Sequence, residues 1–284
     1  MVHDEHIIEA AGKTRVVISN SRVVSVGNPL IRECPLAKRF AIPVSEFTVE
    51  EIRRNIEARI LSFGMCTPER EILCEDDYVM FGASELLAYG IRNEIFDCVV
   101  LVCDGAGTVI VTEPSMIQGI GGRMSGLVKT IPYPKVIERI EENGGHVIDH
   151  PGARIDQAKG IEIAYNLGYS HPAVTVSSGA EAEILRRRYP CVFIVVVHTT
   201  GISVPDTEIA AENADLVTAC ASSAVWDVAS RKALIQAGKS IPVFAMTKKG
   251  KELILRRIND ADTPVFVTGQ ELPVKSGKCP SPLI

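Results

Sequence analysis

Short apolar runs alternate with longer amphipathic stretches in the second half of the chain, from residue 156 onward. The apolar runs have the length and β-branched composition of strands, and the stretches between them have helical spacing. The predicted strands are residues 173–176, 192–197, 216–218 and 243–245, and the predicted helices are residues 156–167, 179–188, 205–213, 222–237 and 248–258. This alternation predicts a parallel sheet with crossover helices, as in Rossmann-like folds.

The first half of the chain mixes strands and helices without strict alternation. Thr48 and Glu51 form a capping box in front of an apolar pattern with helical spacing, which predicts a helix over residues 49–62. Two apolar runs flank a predicted turn at Asn20 and Ser21, as expected for a hairpin. The other predicted elements are a hairpin over residues 98–112, helices over residues 85–93 and from residue 134, and a short strand over residues 146–149.

We therefore predict an α/β protein with three segments. Residues 1–150 form an α+β domain with hairpins, and residues 151–270 form a Rossmann-like domain with a parallel sheet. The apolar run at residues 264–267 is expected to add one strand to the second domain. Residues 271–284 are rich in proline and are expected to form a loose tail.

Charge and hydropathy narrow the classes of function. The net charge of −5 at pH 7, and the lack of a basic run with interleaved aromatic residues, argue against a nucleic-acid-binding protein. No run approaches the ~18 apolar residues of a membrane-spanning helix. The first residues are charged and polar, unlike a signal peptide. We expect a cytoplasmic protein that does not bind membranes.

Residues 97–128 contain the densest candidate chemistry. An apolar run leads Cys103 and Asp104 into a turn, where a thiol beside a carboxylate is typical of a nucleophile and its base. Glycines surround Arg123 and let backbone N–H groups converge on a small anionic ligand. The candidate ligand-binding residues are Gly105, Gly107, Gly119, Gly121, Gly122, Arg123 and Ser125. Neither glycine run matches a dinucleotide fingerprint or a phosphate loop, so the alternative is that the glycines serve turns and close packing.

The carboxyl ends of the predicted parallel strands form a second candidate site, because ligands of open α/β sheets gather there. His198, Thr199 and Thr200 follow one of these strands, and hydroxyl groups at this edge suit a phosphate or a carboxylate. The alternative is helix capping, for which Ser and Thr are the usual residues. Capping does not call for a histidine, so His198 is a candidate catalytic base.

Eight cysteines occur without a C-x-x-C pair, which favours metal-binding, redox-active or buried thiols over a disulfide framework. Cys34, Cys66 and Cys103 each lie where a periodic pattern stops. Three thiolates that converge from loops would hold an iron–sulfur cluster with one coordination position open. With zinc, the same thiolates and a water would form a catalytic site. The alternative is that the three cysteines are unrelated.

Six strings in one order give the chain a family resemblance. They are D-E-H-I-I-E-A at residues 4–10, F-G-M-C-T-P at 63–68, F-G-A-S-E at 81–85, V-C-D-G-A-G-T-V at 102–109, Q-G-I-G-G-R at 118–123 and V-H-T-T-G at 197–201. Together they resemble the methanogenesis marker protein 8 family over about residues 4–258. The resemblance implies an archaeal, methanogen-type source and an anaerobic cytoplasm. It supplies no catalytic residues, but proteins of the same distribution resemble helpers in the assembly, modification or activation of methyl-coenzyme M reductase.

Three functions are compatible with the sequence. The first is a methanogenesis accessory protein that binds an iron–sulfur cluster through Cys34, Cys66 and Cys103 and works on methyl-coenzyme M reductase or its nickel cofactor. The second is an enzyme that holds a phosphate- or carboxylate-bearing metabolite at Arg123 and His198, with Cys103 as nucleophile. The third is a binding or scaffold protein without chemistry.

Overall fold

The computed structural model describes residues 4–40, 42–124, 126–238, 241–275 and 279–284, which contain two sheets and nine α-helices. The strands are β1 Glu5–Ala10, β2 Thr14–Ser19, β3 Arg22–Val26, β4 Cys98–Cys103, β5 Gly107–Val111, β6 Gly126–Lys129, β7 His146–Val147, β8 Pro172–Val176, β9 Phe193–Val196, β10 Leu216–Thr218, β11 Ile235–Ala237 and β12 Val243–Ala245. The α-helices are α1 Val49–Phe63, α2 Ala83–Arg92, α3 Pro114–Ile120, α4 Pro134–Glu142, α5 Gln157–Asn166, α6 Gly179–Arg188, α7 Val204–Asn213, α8 Ser230–Lys232 and α9 Lys248–Asn259.

The larger sheet has the strand order β11-β12-β10-β9-β8-β4-β5-β7. Strands β4, β8, β9 and β10 are parallel neighbours, and the strands outside them pair in antiparallel fashion. The parallel strands and their helices confirm the predicted α/β class. The predicted hairpin over residues 98–112 is β4–β5, and β4 pairs directly with β8. The predicted boundary at residue 150 therefore lies within one continuous sheet.

Helices cover both faces of the larger sheet. Val99 and Leu101 of β4 belong to the core formed with α2, α3, α4 and α9, whereas Cys98 and Val100 belong to the core formed with α5, α6 and α7. All four side chains are buried. The strand is apolar along its whole length because both of its faces are covered, which is typical of parallel strands.

A smaller antiparallel sheet has the order β3-β2-β1-β6. Strands β2 and β3 form the predicted hairpin, and Asn20 and Ser21 in its turn have φ values of 50° and 59°. Positive φ at both positions is characteristic of a type I′ turn. Strand β1, which the sequence analysis did not predict, alternates so that His6, Ile8 and Ala10 are buried. Helix α1 completes the core of this sheet.

Helix α1 begins and ends at residues with clear capping chemistry. The Thr48 side chain accepts a hydrogen bond from the Glu51 backbone N–H at 3.1 Å. Gly64 closes the helix with φ 71°, in the left-handed region that favours glycine. Both ends confirm the predicted helix to within one residue.

The smaller sheet lies over the carboxyl ends of the parallel strands. Lys13, which follows β1, donates from Nζ to the Thr200 carbonyl oxygen at 2.9 Å, and Glu9 in β1 contacts His198. Both partners follow β9. The smaller sheet therefore covers the edge at which ligands of parallel sheets usually bind.

Residues 279–284 return to the same edge. Ser281 forms a β-bridge with Glu33, and the Ile284 N–H donates to the Ala221 carbonyl oxygen at 3.4 Å. This ordered contact differs from the expectation of a loose tail over residues 271–284. The proline-rich composition could not predict this contact, because its backbone partners are far away in the sequence.

Two predicted elements differ from the structure. Residues 222–237 were predicted as one helix, but they contain a π-helical turn at Val225–Ala229, then α8, then the edge strand β11. The helix ends because Ala233 adopts an extended backbone with ψ 142°. The run at residues 264–267 forms no strand, and Phe266 is 89% exposed. Strand β11 takes the place next to β12 instead.

Candidate functional site

The turn between β4 and β5 holds a buried carboxylate. Asp104 is fully buried, and both of its oxygens are occupied. Oδ1 accepts from Arg70 Nε at 2.9 Å, and Oδ2 accepts from the Cys66 backbone N–H at 2.6 Å. Because both acceptors are engaged by neighbouring segments, Asp104 is not free to act as the predicted base for Cys103.

Arg70 is equally buried and uses its remaining donors on backbone carbonyls. Nη2 donates to the Gly119 oxygen at 2.9 Å, and Nη1 donates to the Glu71 oxygen. The pair of Arg70 and Asp104 thus ties the loop after α1 to the β4–β5 turn and to the end of α3. A buried ion pair in which each side-chain nitrogen and each carboxylate oxygen has a partner is a structural connection that tolerates the loss of neither residue.

The Cys103 thiol lies inside this arrangement. Its side chain is fully buried, and Sγ donates to the Asp104 carbonyl oxygen at 3.4 Å. Burial, with the nearby Asp104 carboxylate, raises the pKa of Cys103 far above that of a free thiol. A nucleophilic cysteine needs a lowered pKa and access to substrate, and Cys103 has neither here.

Of the three predicted cluster cysteines, Cys66 and Cys103 are buried and Cys34 is partly buried. Burial raises the pKa of Cys66 well above its usual value, and the charges of Asp104 and Cys103 add to the rise. Burial also raises the pKa of Cys34, and the thiol that adds to that rise is Cys220. Across the described ranges, no three His, Cys, Asp or Glu side chains are arranged to hold a metal ion. The iron–sulfur site stays a prediction.

A buried histidine that the sequence analysis missed links β1 to the β4–β5 turn. His6 pairs through Nδ1 with Thr130 Oγ1 at 2.8 Å and through Nε2 with Tyr133 Oη at 2.9 Å. Thr130 Oγ1 also accepts from the Gly105 N–H at 2.8 Å, and Tyr133 donates to Asp4 at 2.6 Å. Burial lowers the pKa of His6. The alternation of apolar and polar residues in 5–10 could have predicted that His6 faces inward.

His198 is the predicted residue whose geometry is most like that of a functional site. It follows β9 with φ 58°, a left-handed backbone that is strained for a non-glycine residue. Its Nε2 donates to Glu9 Oε2 at 2.6 Å. The side chains are 11% and 30% exposed, so the pair borders solvent. The hydrogen bond from His198 lowers the pKa of Glu9 and favours its carboxylate form.

Gly126, the first residue of β6, packs directly against this histidine. A Cβ atom on Gly126 would lie 2.8 Å from His198 Nε2, which is closer than any side chain allows. The pair of His198 and Glu9 therefore requires glycine at position 126, because a Cβ atom there would collide with the imidazole. Ser125, predicted to bind the ligand, lies outside the described residues.

Thr199 and Thr200 form hydrogen bonds at the ends of the parallel strands. The Thr199 hydroxyl is buried, donates to the Thr218 carbonyl oxygen at 2.6 Å and accepts from the Cys220 N–H at 3.2 Å. Thr200 is buried and offers its carbonyl to Lys13. Neither threonine caps α7, whose N-cap is Ser203. Both hold this edge together rather than facing an open cleft.

Most of the predicted ligand-binding glycines are in close contact with other backbone. Gly105 and Gly107 have φ values of 89° and 75°, and a Cβ on Gly107 would lie 2.3 Å from Ala153 backbone atoms. Gly119 lies inside α3, and its Cβ would lie 2.0 Å from the Ile72 carbonyl oxygen. These three support the alternative of turns and close packing. Gly121 and Gly122 follow α3 and are partly exposed.

Arg123 is only partly neutralised. Its guanidinium Cζ lies 4.9 Å from the Phe63 ring centroid, and Nε donates to Tyr78 Oη at 3.4 Å. The nearest carboxylate is Glu71, 3.7 Å from Nη1, and that carboxylate is largely exposed. Within the part of the chain that the structure describes, Nη1 is buried without a hydrogen-bond partner. The Arg123 guanidinium therefore has hydrogen-bonding capacity that no described residue uses.

Comparison with known proteins gives the chain a family. A family described as an uncharacterized protein conserved in archaea (DUF2099) matches residues 6–259. The chain belongs to this family. This DUF2099 protein is 41% identical over 285 residues to an uncharacterized protein of Methanocaldococcus jannaschii, with 99% of this chain and all of the relative covered. No solved structure matches.

The DUF2099 match includes all the candidate residues described above. It spans both sheets and ends with helix α9 at Asn259, so residues 279–284 lie beyond it. Among the residues that the structure of this DUF2099 protein describes, no helix is long and apolar enough to cross a membrane.

Proposed function

We propose that this chain binds a small anionic metabolite at Arg123 and transfers a proton to or from it at His198. The observation that carries the proposal is the hydrogen bond between His198 Nε2 and Glu9, made from a left-handed backbone. Strain of this kind persists where surrounding structure enforces it, and it is concentrated at functional sites.

The ring nitrogens of His198 have different environments. Because Nε2 donates to a carboxylate, the neutral imidazole carries its lone pair on Nδ1. In the described parts of the chain, no side chain or backbone group is hydrogen-bonded to Nδ1. A carboxylate that fixes one nitrogen while the other faces the ligand is the arrangement of a general base.

Gly126 lies against the imidazole of His198, and Arg123 precedes Gly126 by three positions. The metabolite is proposed to lie between the Arg123 guanidinium and the imidazole. We assign Cys103 no role as nucleophile because its thiol is buried and its pKa is raised.

Ligand binding is tested by thermal denaturation with inorganic phosphate, 3-phosphoglycerate and citrate. A ligand that binds the folded state raises the melting temperature. We expect one of these anions to stabilise the wild type and to stabilise Arg123→Gln and His198→Gln much less. The matched control is His150→Gln, since His150 makes a comparable 2.7 Å contact with Glu141 on an exposed surface. Equal shifts in all four proteins, or no shift in any, would refute the proposal.

Proton transfer is tested on 3-phosphoglycerate and citrate, because inorganic phosphate has no carbon-bound hydrogen. Exchange of their carbon-bound hydrogen with D₂O is followed by NMR, and His198→Gln should lose the exchange that His150→Gln retains. Exchange at the wild-type rate in His198→Gln, or no exchange in the wild type, would remove the proton-transfer step from the proposal.

A second proposal rests on the resemblance to the methanogenesis marker protein 8 family. It is that the chain carries an iron–sulfur cluster and helps to assemble, modify or activate methyl-coenzyme M reductase or its nickel cofactor. Two observations support it: Cys34 and Cys66 belong to the same apolar core, and the Cys66 and Cys103 thiols interact electrostatically.

The test of the second proposal is iron and acid-labile sulfide in protein purified and reconstituted without oxygen. Loss of iron in Cys34→Ser and Cys66→Ser, but not in the exposed control Cys191→Ser, would support it. Iron-free wild-type protein would overturn it. Recovery of reductase subunits in a pull-down by a cysteine-free variant would instead favour a scaffold without chemistry.

A further inference from the structure

We infer that Arg15 binds a carboxylate group of the ligand beside the pair of His198 and Glu9. This inference rests on the function proposed above and deepens it, since it names the class of the ligand, a metabolite that carries a carboxylate, and a further residue that binds it. In the sequence, Arg15 is only a charged residue at the start of an apolar run.

Strand pairing places Arg15 next to Glu9. In the small sheet, Glu9 of β1 lies directly opposite Arg15 of β2 on one side and directly opposite Gly126 of β6 on the other. Residues directly opposite each other in antiparallel strands point to the same face, with Cβ atoms about 5 Å apart. The His198 imidazole lies over Gly126 on this face, because a Cβ atom on Gly126 would lie 2.8 Å from its Nε2. Arg15, Glu9 and His198 therefore lie in one row across the sheet.

This face of the small sheet is not the one that packs against α1. Ile8 and Val16, which are adjacent in sequence to Glu9 and Arg15, are buried in the same core as Ile52 of α1. Side chains alternate between the two faces of a strand, so Glu9 and Arg15 point away from that core. Arg15 is exposed, and the Glu9 side chain is partly exposed. A ligand can therefore reach the row from solvent.

The position beyond Arg15 in this row carries no side chain. Gly27, which follows β3, donates its N–H to the Arg15 carbonyl oxygen at 2.8 Å. A Cβ atom on Gly27 would lie 3.9 Å from Arg15 Cβ, so this position faces the same side of the sheet. Apart from the chain neighbours of Gly27, the described atoms nearest to that position all belong to Arg15. The space beside Arg15 is thus open to a ligand group.

The Arg15 guanidinium has its donors free. Among the residues that the structure describes, it forms no hydrogen bond and no salt bridge. Lys13 also lies near this row, but its Nζ already donates to the Thr200 carbonyl oxygen at 2.9 Å. The hydrogen bond from His198 lowers the pKa of Glu9 most, and the charges of His198, Lys13 and Arg15 add to this effect. Arg15 therefore brings positive charge to the row and keeps its five N–H groups for a ligand.

The local charge favours a carboxylate over a phosphoryl group. Lys13 and Arg15 are positive, Glu9 is negative, and His198 is neutral when it acts as a base, so one positive charge is left over. A carboxylate carries one negative charge, whereas a phosphoryl group carries about two. The planar guanidinium also matches the two oxygens of a carboxylate in a bidentate pair. A phosphoryl group at this place would leave excess negative charge beside Glu9.

The inference is tested by isothermal titration of two ligands that differ in one group. 3-Phosphoglycerate carries a carboxylate where glycerol 3-phosphate carries a hydroxymethyl group. The wild type should bind 3-phosphoglycerate about tenfold or more tightly than glycerol 3-phosphate, as expected for a hydrogen-bonded charge pair. Arg15→Gln should lose this preference, because it should bind 3-phosphoglycerate more weakly and glycerol 3-phosphate as the wild type does. Citrate, titrated in parallel, should also bind about tenfold more weakly to Arg15→Gln.

Arg22→Gln is the matched control. Arg22 is an exposed arginine of the neighbouring strand β3 and lies opposite Ser19. Ser19 is four positions beyond Arg15 along β2, which is a distance of about 13 Å. Arg22→Gln makes the same change of charge in the same sheet and should keep the wild-type preference. Since both arginines are exposed, neither substitution should prevent folding.

The outcomes separate this inference from the proposed function. The role of Arg15 is overturned if Arg15→Gln keeps the preference for 3-phosphoglycerate, or if it weakens the binding of both ligands equally. It is also overturned if the wild type gains no affinity from the carboxylate, or if Arg22→Gln loses the preference as Arg15→Gln does. Each of these results leaves the proposed site at Arg123 and His198 standing. A wild type that binds neither ligand, nor citrate or inorganic phosphate, overturns both proposals.

Discussion

Arg70 Nε donates to Asp104 Oδ1 at 2.9 Å, and neither side chain is exposed to solvent. Arg70 ends the segment C-T-P-E-R, and Asp104 lies in the segment C-D-G-A-G. The two residues are 34 positions apart in the sequence. Their contact joins three parts of the chain without reaching the surface. We therefore interpret this pair as a structural connection, although its composition suggests an active site.

Asp104→Asn should destabilise the protein by about 3–5 kcal/mol, because it leaves the Arg70 guanidinium buried without a counter-charge. The measurement is the free energy of unfolding in urea at neutral pH. Glu51→Gln is the control, since Glu51 pairs with Arg54 at 2.6 Å but in an exposed position. Its cost should not exceed about 1 kcal/mol. Similar losses in the two variants would contradict the structural role of Asp104.

Thiol labelling should separate the cysteines by burial. Cys191 is exposed and should react with Ellman's reagent within minutes in the native state. Cys66 and Cys103 should react only after unfolding, because both are buried and burial raises the pKa of each thiol. Peptide mapping by mass spectrometry identifies the labelled sites, and Cys191→Ser should remove the fast phase. Labelling of native Cys103 as fast as Cys191 would restore it as a candidate nucleophile.

Gly126→Ala should break the contact between His198 and Glu9. The added Cβ would lie 2.8 Å from His198 Nε2, so either the imidazole or the loop must move. We expect a loss of about 1–3 kcal/mol in unfolding free energy, together with loss of any ligand-induced stabilisation. Gly269→Ala is the matched control because no atom lies within 4 Å of its added Cβ. It should change stability by less than about 0.5 kcal/mol.

Glu9→Gln should change how stability depends on pH. The hydrogen bond from His198 lowers the pKa of Glu9 from 4.5, so the folded state holds the carboxylate ionised more strongly than the unfolded state does. The contribution is complete above the unfolded value and is lost as the pH falls through the lower folded value. The stability gap between wild type and variant should thus be present at about pH 5–6 and shrink below pH 4.5. A gap that stays constant on acidification would show that the hydrogen bond does not depend on this ionisation.

Local signals explain what the sequence could predict. The Thr48 cap, the Gly64 stop and the Asn20-Ser21 turn each act within a few residues, and the structure confirms the helix and the hairpin that they predict. The alternation of strands and helices after residue 156 predicted the parallel sheet, because each strand and helix has its own local apolar pattern. Each signal needs only the backbone preferences of neighbouring residues.

Contacts between residues that are distant in the chain explain what the sequence could not predict. Glu9 and His198 are 189 positions apart, and their meeting depends on which edge of the large sheet the small sheet covers. The same holds for Cys34 and Cys66, which belong to one apolar core because elements distant in sequence pack there.

The position of β1 within the small sheet has a consequence for biosynthesis. Strand β1 pairs with β2 on one side and with β6 on the other, so Ile7 lies opposite Lys129. At synthesis rates of about 5–20 residues per second, the second partner leaves the ribosome roughly 6–24 s after the first strand. During that interval β1 presents an unpaired edge, which is a template for pairing with other nascent chains. A chaperone would therefore be most useful while the first half of the chain is being synthesised.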